Sequence, residues 1–203
     1  VGSADGTNTF EGQTITSSAN KGVLARYLPD GTLTDLVQLA DNSNDQQATA
    51  VEVAPGTGNI YVGGGFWGDL QLNGFNLTAP TFSTFTLKLD DALNALWMSQ
   101  GGGDNTTYGS WLNGLAIDAV ENCYITGECS GDAVTFGAHS FIGHTFYDDE
   151  VFTAKINSNG VVQWLRRGGS EQNDEAFDII ADALGNTVIT GLLGGNIAFA
   201  DFD

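Results

Sequence analysis

A unit of about 60 residues recurs along the chain. Three segments, each with asparagine in second place and glycine at the end, align with one another: Gly58–Gly64, Glu121–Gly127 and Gly185–Gly191. The asparagines are 63 and 64 residues apart. A fixed interval of this size indicates one supersecondary unit that is stacked several times. The repeat therefore restricts the fold to near-equivalent modules, an architecture that serves many unrelated functions.

A second shared block precedes each of these segments. Phe85–Leu89 aligns with Phe152–Ile156, and a tryptophan follows the lysine of each block by nine residues. Val23–Tyr27 occupies this place in the first repeat, which lacks the tryptophan. The alignment divides the chain into the end of a preceding unit and three repeats: residues 1–20, then 21–82, 83–150 with longer loops, and 151–203, which is truncated at its last strand.

Each repeat contains four short runs of β-branched and aromatic residues between turn residues, the pattern of β-strands. In the last repeat these runs are Val151–Ile156, Val161–Leu165, Ala176–Ile180 and Thr187–Thr190. Asn157–Gly160 has the composition of a hairpin turn. Leu112–Ile117 resembles a short helix, but Gly114 lies inside it and its aligned partners are strand-like. We therefore predict a strand there.

Four antiparallel strands per unit predict an all-β fold, the β-propeller, with four-stranded blades of about 63 residues. The rival is a β-solenoid, in which strands pair between units. A propeller needs about four to eight blades, whereas this chain supplies about three. We therefore expect the chain to be part of a longer polypeptide. The alternative is a complete ring that closes by strand exchange between the chain ends.

The last repeat supports a comparison with a known family through residues that agree in order and spacing. These residues are Phe152–Ile156, Gly160, Trp164, Gly168–Ser170, Asp174–Phe177, Asp182, Gly185, Asn186, Ile189–Gly191 and Phe199. They resemble the bacterial β-propeller repeat of the SBBP type. The middle repeat keeps part of the pattern, and the first repeat is weak. The resemblance implies a secreted or surface-attached bacterial protein, and it supplies no catalytic motif that could be transferred.

Charge and apolar patterning argue against two classes of partner. Six basic residues oppose 25 acidic ones, and the formal net charge is −19. Nucleic-acid binding needs Lys and Arg to displace counterions from phosphates, so no nucleic-acid partner is expected. No run approaches the roughly 20 apolar residues that span a bilayer, so no membrane insertion is expected either. Arg26, Lys88 and Lys155 occupy equivalent places, where a structural role is favoured over a ring of ligand-binding cations.

Acidic loops suggest a calcium site. The candidate ligands lie in corresponding loops of the three repeats: Asp41, Asp45, Asp104, Asp174 and Glu175. Calcium binds several carboxylate and carbonyl oxygens, which such loops can supply. The spacing differs from the twelve-residue EF-hand loop, and acids that form turns or face solvent are the favoured interpretation. Calcium is the one candidate cofactor.

Two tryptophans are candidates for glycan binding. Trp67 and Trp111 have no aromatic counterpart in the other repeats, so they are the candidates for stacking on sugars. Packing between blades is the favoured interpretation. His139 and His144 have acidic neighbours, but surface histidines are favoured over a zinc site.

The two cysteines are expected to be core residues. Six residues separate Cys123 from Cys129, about 20 Å along an extended strand. A disulfide needs a Cα separation below about 7 Å, so the pair can bridge only if the chain reverses between them.

No nucleophile elbow, phosphate-binding loop or dinucleotide fingerprint occurs in the sequence. We therefore predict a non-enzymatic repeat module of a secreted or cell-surface bacterial protein. It would act as a scaffold, adhesion or assembly domain through loop contacts with protein or glycan. A polysaccharide-active propeller enzyme is one alternative, because 25 acids offer many carboxylate pairs. A subunit that assembles into a ring or filament through open blade edges is the other.

Overall fold

The structure is a computed structural model that describes residues 2–40, 45–143, 148–170 and 172–195. Within these ranges the chain forms fifteen β-strands in four antiparallel sheets, and no residue is helical. The predictions of an all-β fold and of antiparallel sheets are confirmed. The same ranges accordingly contain no helix that could cross a lipid bilayer.

The strands are numbered in chain order. The first sheet consists of β1 (Gly2–Phe10), β2 (Gln13–Tyr27) and β3 (Leu33–Gln38). The second consists of β4 (Gln46–Val53), β5 (Ile60–Leu72), β6 (Phe75–Leu89) and β7 (Ala95–Gly103), extended by β10 (Ala133–Phe136) and β11 (His139–Ile142). The third consists of β8 (Ser110–Ile117), β9 (Cys123–Ser130), β12 (Asp149–Ile156) and β13 (Val162–Gly168). The fourth consists of β14 (Glu175–Ala181) and β15 (Thr187–Leu192).

The strand predictions hold at the level of single elements. The four runs of the last repeat overlap β12, β13, β14 and β15. Leu112–Ile117 lies within β8, so the glycine inside this segment correctly argued against a helix.

The sheets combine strands from consecutive sequence repeats. The divisions before residues 83 and 151 fall inside β6 and β12. In the third sheet, β8 and β9 precede the second division, whereas β13 follows it. The hairpin of β10 and β11 joins the second sheet, because β10 pairs with β7. Each of the two larger sheets thus contains a junction between repeats.

The shared asparagine of the repeat closes a hairpin turn. Asp118 accepts hydrogen bonds from the Asn122 backbone N–H (2.9 Å) and from Asn122 Nδ2 (2.7 Å). Asp182 and Asn186 make the same pair of contacts at 2.9 and 2.7 Å. The residue before each asparagine has a positive φ, 63° at Glu121 and 83° at Gly185. This is the turn geometry of a three-residue hairpin loop with a bulge.

The glycine that ends each repeat segment lies opposite a β-bulge. The first strand of each later sheet has such an irregularity, in β4, β8 and β14. A Cβ at Gly64, Gly127 or Gly191 would collide with a carbonyl oxygen of the facing strand. These carbonyl groups belong to Gln47, Trp111 and Glu175. The three glycines are therefore required by backbone contact, and they mark three equivalent places in the fold.

Apolar side chains fill the spaces between neighbouring sheets. The first and second sheets share a core that includes Leu24, Val62, Phe85 and Leu87. The second and third share one that includes Tyr61, Leu112, Ile125 and Phe152. The third and fourth share a smaller one of Ala116, Tyr124 and Ile179. The first strands also touch, since β8 packs against both β4 and β14.

The cysteines belong to the core between the second and third sheets. Cys123 and Cys129 are both buried and carry free thiols. Burial raises the pKa of both thiols. They are therefore inert packing residues at neutral pH.

Replacing the turn aspartate should lower the unfolding free energy more in the turn between β8 and β9 than in the turn between β14 and β15. Asp118 is buried and also accepts a hydrogen bond from the Tyr124 hydroxyl (3.0 Å). Asp118→Ala leaves that buried hydroxyl without its acceptor, and we expect a loss of about 2–3 kcal/mol in unfolding free energy. Asp182→Ala is the matched control in an exposed turn, with an expected loss of about 1 kcal/mol. Urea unfolding followed by tryptophan fluorescence measures both, and equal losses would contradict this account.

Candidate functional site

A polar cluster joins the second and third sheets at the turn between β8 and β9. The Glu121 carboxylate accepts hydrogen bonds from Lys88 Nζ (2.8 Å), Thr57 Oγ1 (2.6 Å), Asn59 Nδ2 (3.0 Å) and the Tyr61 hydroxyl (3.0 Å). Burial opposes ionisation of Glu121, but these hydrogen bonds outweigh it and lower its pKa to about 2. Four donors around one carboxylate make this a fixed anion and leave no role in proton transfer at neutral pH.

Aromatic rings complete the cluster. Lys88 Nζ lies 5.2 Å from the centre of the Tyr61 ring, a cation–π contact. Tyr61 meets Trp97 edge to face at 5.9 Å, and Trp97 Nε1 donates to the Ser158 carbonyl (3.0 Å). The lysine and tryptophan of the repeat are thus used to join neighbouring parts of the fold.

A second copy of this arrangement lies between the third and fourth sheets. Lys155 Nζ lies 5.1 Å from the Tyr124 ring centre, and Tyr124 packs against Trp164 at 6.1 Å. Gly185 stands in place of Glu121, so this copy lacks the carboxylate. In the first repeat, Arg26 instead donates to the Asp91 carbonyl (2.8 Å).

A different set of carboxyl groups lies at the opposite ends of these strands. Glu128 in β9, Asp149 in β12 and Glu175 in β14 repel one another across the third and fourth sheets. Burial and repulsion by Glu175 and Asp149 raise the pKa of Glu128 to about 7. Burial also raises the pKa of Asp149. Glu128 can therefore gain or lose a proton near neutral pH, as a general acid or base must.

An apolar groove lies next to these acids, between the third sheet and β15. It encloses about 260 Å³. Its lining residues are Val151, Thr153, Arg166, Arg167, Gly168, Glu175, Ala176, Ile189, Gly191, Leu192 and Leu193. Arg167 Nε lies 3.8 Å from the buried Glu150 carboxylate, so part of the local charge is balanced.

Three of the predicted calcium ligands, Asp45, Asp104 and Asp174, lie in separate loops. Asp41 is outside the described residues. Asp45 accepts the Asn20 N–H (3.0 Å), and Asp104 accepts the Ala133 N–H (3.1 Å). Asp174 accepts the Ser170 hydroxyl (3.0 Å) and the Gly194 N–H (2.9 Å), and it also accepts the Ser170 N–H. These carboxylates brace loops.

Glu175, the fifth predicted ligand, lies at the start of β14 and lines the groove. Over the described ranges, no three His, Cys, Asp or Glu side chains are arranged to hold a metal ion. Calcium binding stays a prediction.

The two candidate tryptophans have different surroundings. Trp111 stacks on Phe82, with ring centres 4.1 Å apart and planes inclined by 29°, and so joins β8 to β6. Trp67 is 56% exposed, and its backbone N–H donates to the Asp45 carbonyl (3.1 Å). Trp67 thus offers an open ring face, whereas one face of Trp111 is already covered. Of the two candidate zinc ligands, His139 begins β11, and His144 lies outside the described residues.

Sequence reasoning missed Glu128 and Asp149. One signal was available for Glu128, because the aligned positions in the other repeats are Gly65 and Leu192. An acid at a strand position that is otherwise small or apolar indicates a perturbed carboxyl group. No comparable signal marks Asp149, since its repulsion by Glu175 depends on how the sheets pack.

No protein-family model matches the chain, and a search of curated proteins gives no match.

The ion pair between Lys88 and Glu121 should show strong coupling. Both side chains are largely buried, so Lys88→Met leaves an unpaired anion, and we expect a loss of about 3 kcal/mol in unfolding free energy. The double variant Lys88→Met/Glu121→Gln should lose less than the sum of the single losses. Lys155→Met, where Gly185 replaces the carboxylate, is the control and should cost about 1 kcal/mol. A strictly additive double variant in urea unfolding would reject the coupling.

The dependence of stability on acid pH tests the same ion pair of Lys88 and Glu121. The pKa of Glu121 falls from 4.5 to about 2 on folding, so its stabilisation is present above pH 4.5 and is lost between pH 4.5 and 2. Glu121→Gln should therefore reduce the slope of stability against pH in this interval.

Glu128 should give the opposite pH dependence. Its pKa rises from 4.5 in the unfolded chain to about 7, so the folded protein holds its proton more tightly. The contribution of Glu128 to stability should be greatest below pH 4.5 and should fall as the pH rises through 7. Glu128→Gln should raise the melting temperature at pH 8 and change it little at pH 4.5. Glu52→Gln, at an exposed acid, is the control, and a melting temperature at pH 8 that Glu128→Gln leaves unchanged would contradict the prediction.

Proposed function

We propose that the chain is a non-enzymatic repeat module of a secreted or cell-surface bacterial protein. It acts as a scaffold, adhesion or assembly domain through contacts with protein or glycan. One observation carries this proposal: the residues that recur between repeats are used to hold the fold together. Lys88 and Trp97 pack on Tyr61 within the second sheet, and Lys88 also binds Glu121 at a turn of the third sheet. Lys155 and Trp164 pack on Tyr124, which lies in the core between the third and fourth sheets. Recurrent side chains in a binding cleft would instead have favoured a repeated ligand site.

We further propose that the sheets are blades of a β-propeller of the SBBP type. Three features support this arrangement. Strands β4 to β7 pair in chain order, as the strands of a blade do. The first strands β4, β8 and β14 lie side by side. Apolar residues cover both faces of the second and third sheets. The secreted or surface location follows from the same resemblance.

The surface favours protein or glycan as the partner. Trp67 and Tyr108 are 56% and 52% exposed, and such rings stack on the apolar faces of sugars or pack against protein. The net charge of −19 disfavours nucleic acid. Calcium, if it binds, would act at the acidic loops as a structural ion.

A polysaccharide-active enzyme is the second candidate. The observation that favours it is Glu128, whose pKa of about 7 suits a general acid and which lies beside Glu175 and Asp149. Trp111 is the cross-strand neighbour of Glu128, and an apolar ring beside a carboxyl group favours the protonated form that a general acid requires. The stacking of Phe82 on Trp111 weighs against an enzyme, because it covers one ring face that a sugar would use.

A polysaccharide screen separates the two candidates. Purified protein is incubated at pH 5 to 8 with neutral, acidic and sulfated polysaccharides, and release of reducing ends or unsaturated sugars is measured. We expect no turnover, with or without millimolar calcium. Turnover that Glu128→Gln abolishes and Glu52→Gln preserves would reject the non-enzymatic proposal. Retention of the folded protein on one of the immobilised polysaccharides would support adhesion.

A further inference from the structure

The outer edge of β15 is open among the described residues. β15 pairs with β14 on one side only. The equivalent strands β5 and β9 pair on both sides, with β6 and β12 as their second partners. The equivalence rests on structure as well as sequence, because Gly64, Gly127 and Gly191 each face a bulge in the preceding strand.

The two complete copies show what the open edge lacks. Gly64 in β5 pairs with Phe85, and Gly127 in β9 pairs with Phe152. Both phenylalanines are buried between sheets. The same register on β15 would place a phenylalanine opposite Gly191.

The apolar groove lies where that phenylalanine would go. Gly191 and Ile189 line the groove from β15, and Val151 and Thr153 line it from the third sheet. The groove continues the packed interface in which Ile189 lies against the core of the third and fourth sheets. An open strand edge beside an apolar groove binds an extended segment through main-chain hydrogen bonds and alternate side chains.

We propose that this edge and groove, together the β15 groove, bind an extended strand of another polypeptide with the pattern Phe-Thr-x-Lys-(Ile/Leu). The strand pairs antiparallel with β15, and its phenylalanine lies opposite Gly191. The proposal rests on the proposed function, because it names the partner of an assembly module. The pattern is the one that β6 and β12 present as Phe85–Leu89 and Phe152–Ile156.

Charge favours a strand that carries a lysine and no acid. Lys155 of β12 pairs with Tyr124 of β9, and the Tyr124 hydroxyl donates to Asp118. The same register would place the incoming lysine opposite Val188, near the exposed Asp182 that corresponds to Asp118. The lysine would therefore meet a carboxylate on a protein of net charge −19.

A folded second copy is not the expected occupant. Both of its strands with this pattern are already paired on two sides, β6 with β5 and β7, and β12 with β9 and β13. Neither strand is free unless its own sheet opens. The partner is thus a chain with an unpaired strand of this pattern.

A peptide-binding experiment tests the proposal. The probe is a fluorescein-labelled peptide with the sequence of residues 151–168, titrated with the whole folded chain and followed by fluorescence anisotropy. We expect saturable binding. Phe152→Ser in the peptide should weaken binding by about tenfold or more, since it removes a buried aromatic anchor. A scrambled peptide should not bind.

Two protein variants localise the binding. Leu192 lines the groove and is 57% exposed, so Leu192→Asp should leave the fold intact and weaken binding at least as much. Leu184→Asp is the matched control, since Leu184 is 89% exposed and does not line the groove. Circular dichroism verifies that each variant is folded.

Three outcomes would overturn the inference. The first is absence of saturable binding to the folded protein. The second is equal binding of the scrambled or Phe152→Ser peptide. The third is that the protein does not bind the peptide but forms a concentration-dependent dimer, and that Leu192→Asp dissociates this dimer. That result would make a second copy the occupant. None of these outcomes bears on polysaccharide turnover, so failure here is distinct from failure of the proposed function.

Discussion

Close contact between neighbouring backbones at three glycines determines how the sheets are built. Gly64, Gly127 and Gly191 each lie against the carbonyl group of a bulged strand, where a single methyl group would not fit. Because side chains alternate between faces, a one-residue slip at any of these places would exchange the core and outer faces of the strand. The glycine and the bulge together therefore fix the register on which the apolar cores and the clusters around Tyr61 and Tyr124 depend.

The sequence predicted the elements better than it predicted their association. Period, turn residues and the glycine within β8 were local signals, and they led to the correct strands. The pairing of β9 with β12 was not predictable in this way, because the hairpin of β10 and β11 lies between them in the chain and pairs with the second sheet instead. Glu121–Gly127 matched the other repeats by alignment. The alignment did not reveal that Glu121, at a turn of the third sheet, forms an ion pair with Lys88 of the second sheet.

Candidate site residues were harder to predict for a related reason. A loop acid has the same sequence appearance whether it binds calcium or accepts a backbone N–H, as Asp45 and Asp104 do. The raised pKa of Glu128 depends on burial and on acids that come from β12 and β14. Charges brought together by packing leave little trace in a single sequence, whereas a recurring Lys and Trp pair leaves a clear one.

The junction between repeats inside a sheet has a mechanical consequence. The ladder from β12 to β9 runs through the division, because residues 149 and 150 pair with β9 on one side of it and residues 151–156 on the other. The two repeats therefore cannot separate at this division without breaking the third sheet. A tensile load along the polypeptide must shear or unzip such ladders in turn. Extension should thus proceed by stepwise release of strands, because each junction within a sheet ties one repeat to the next.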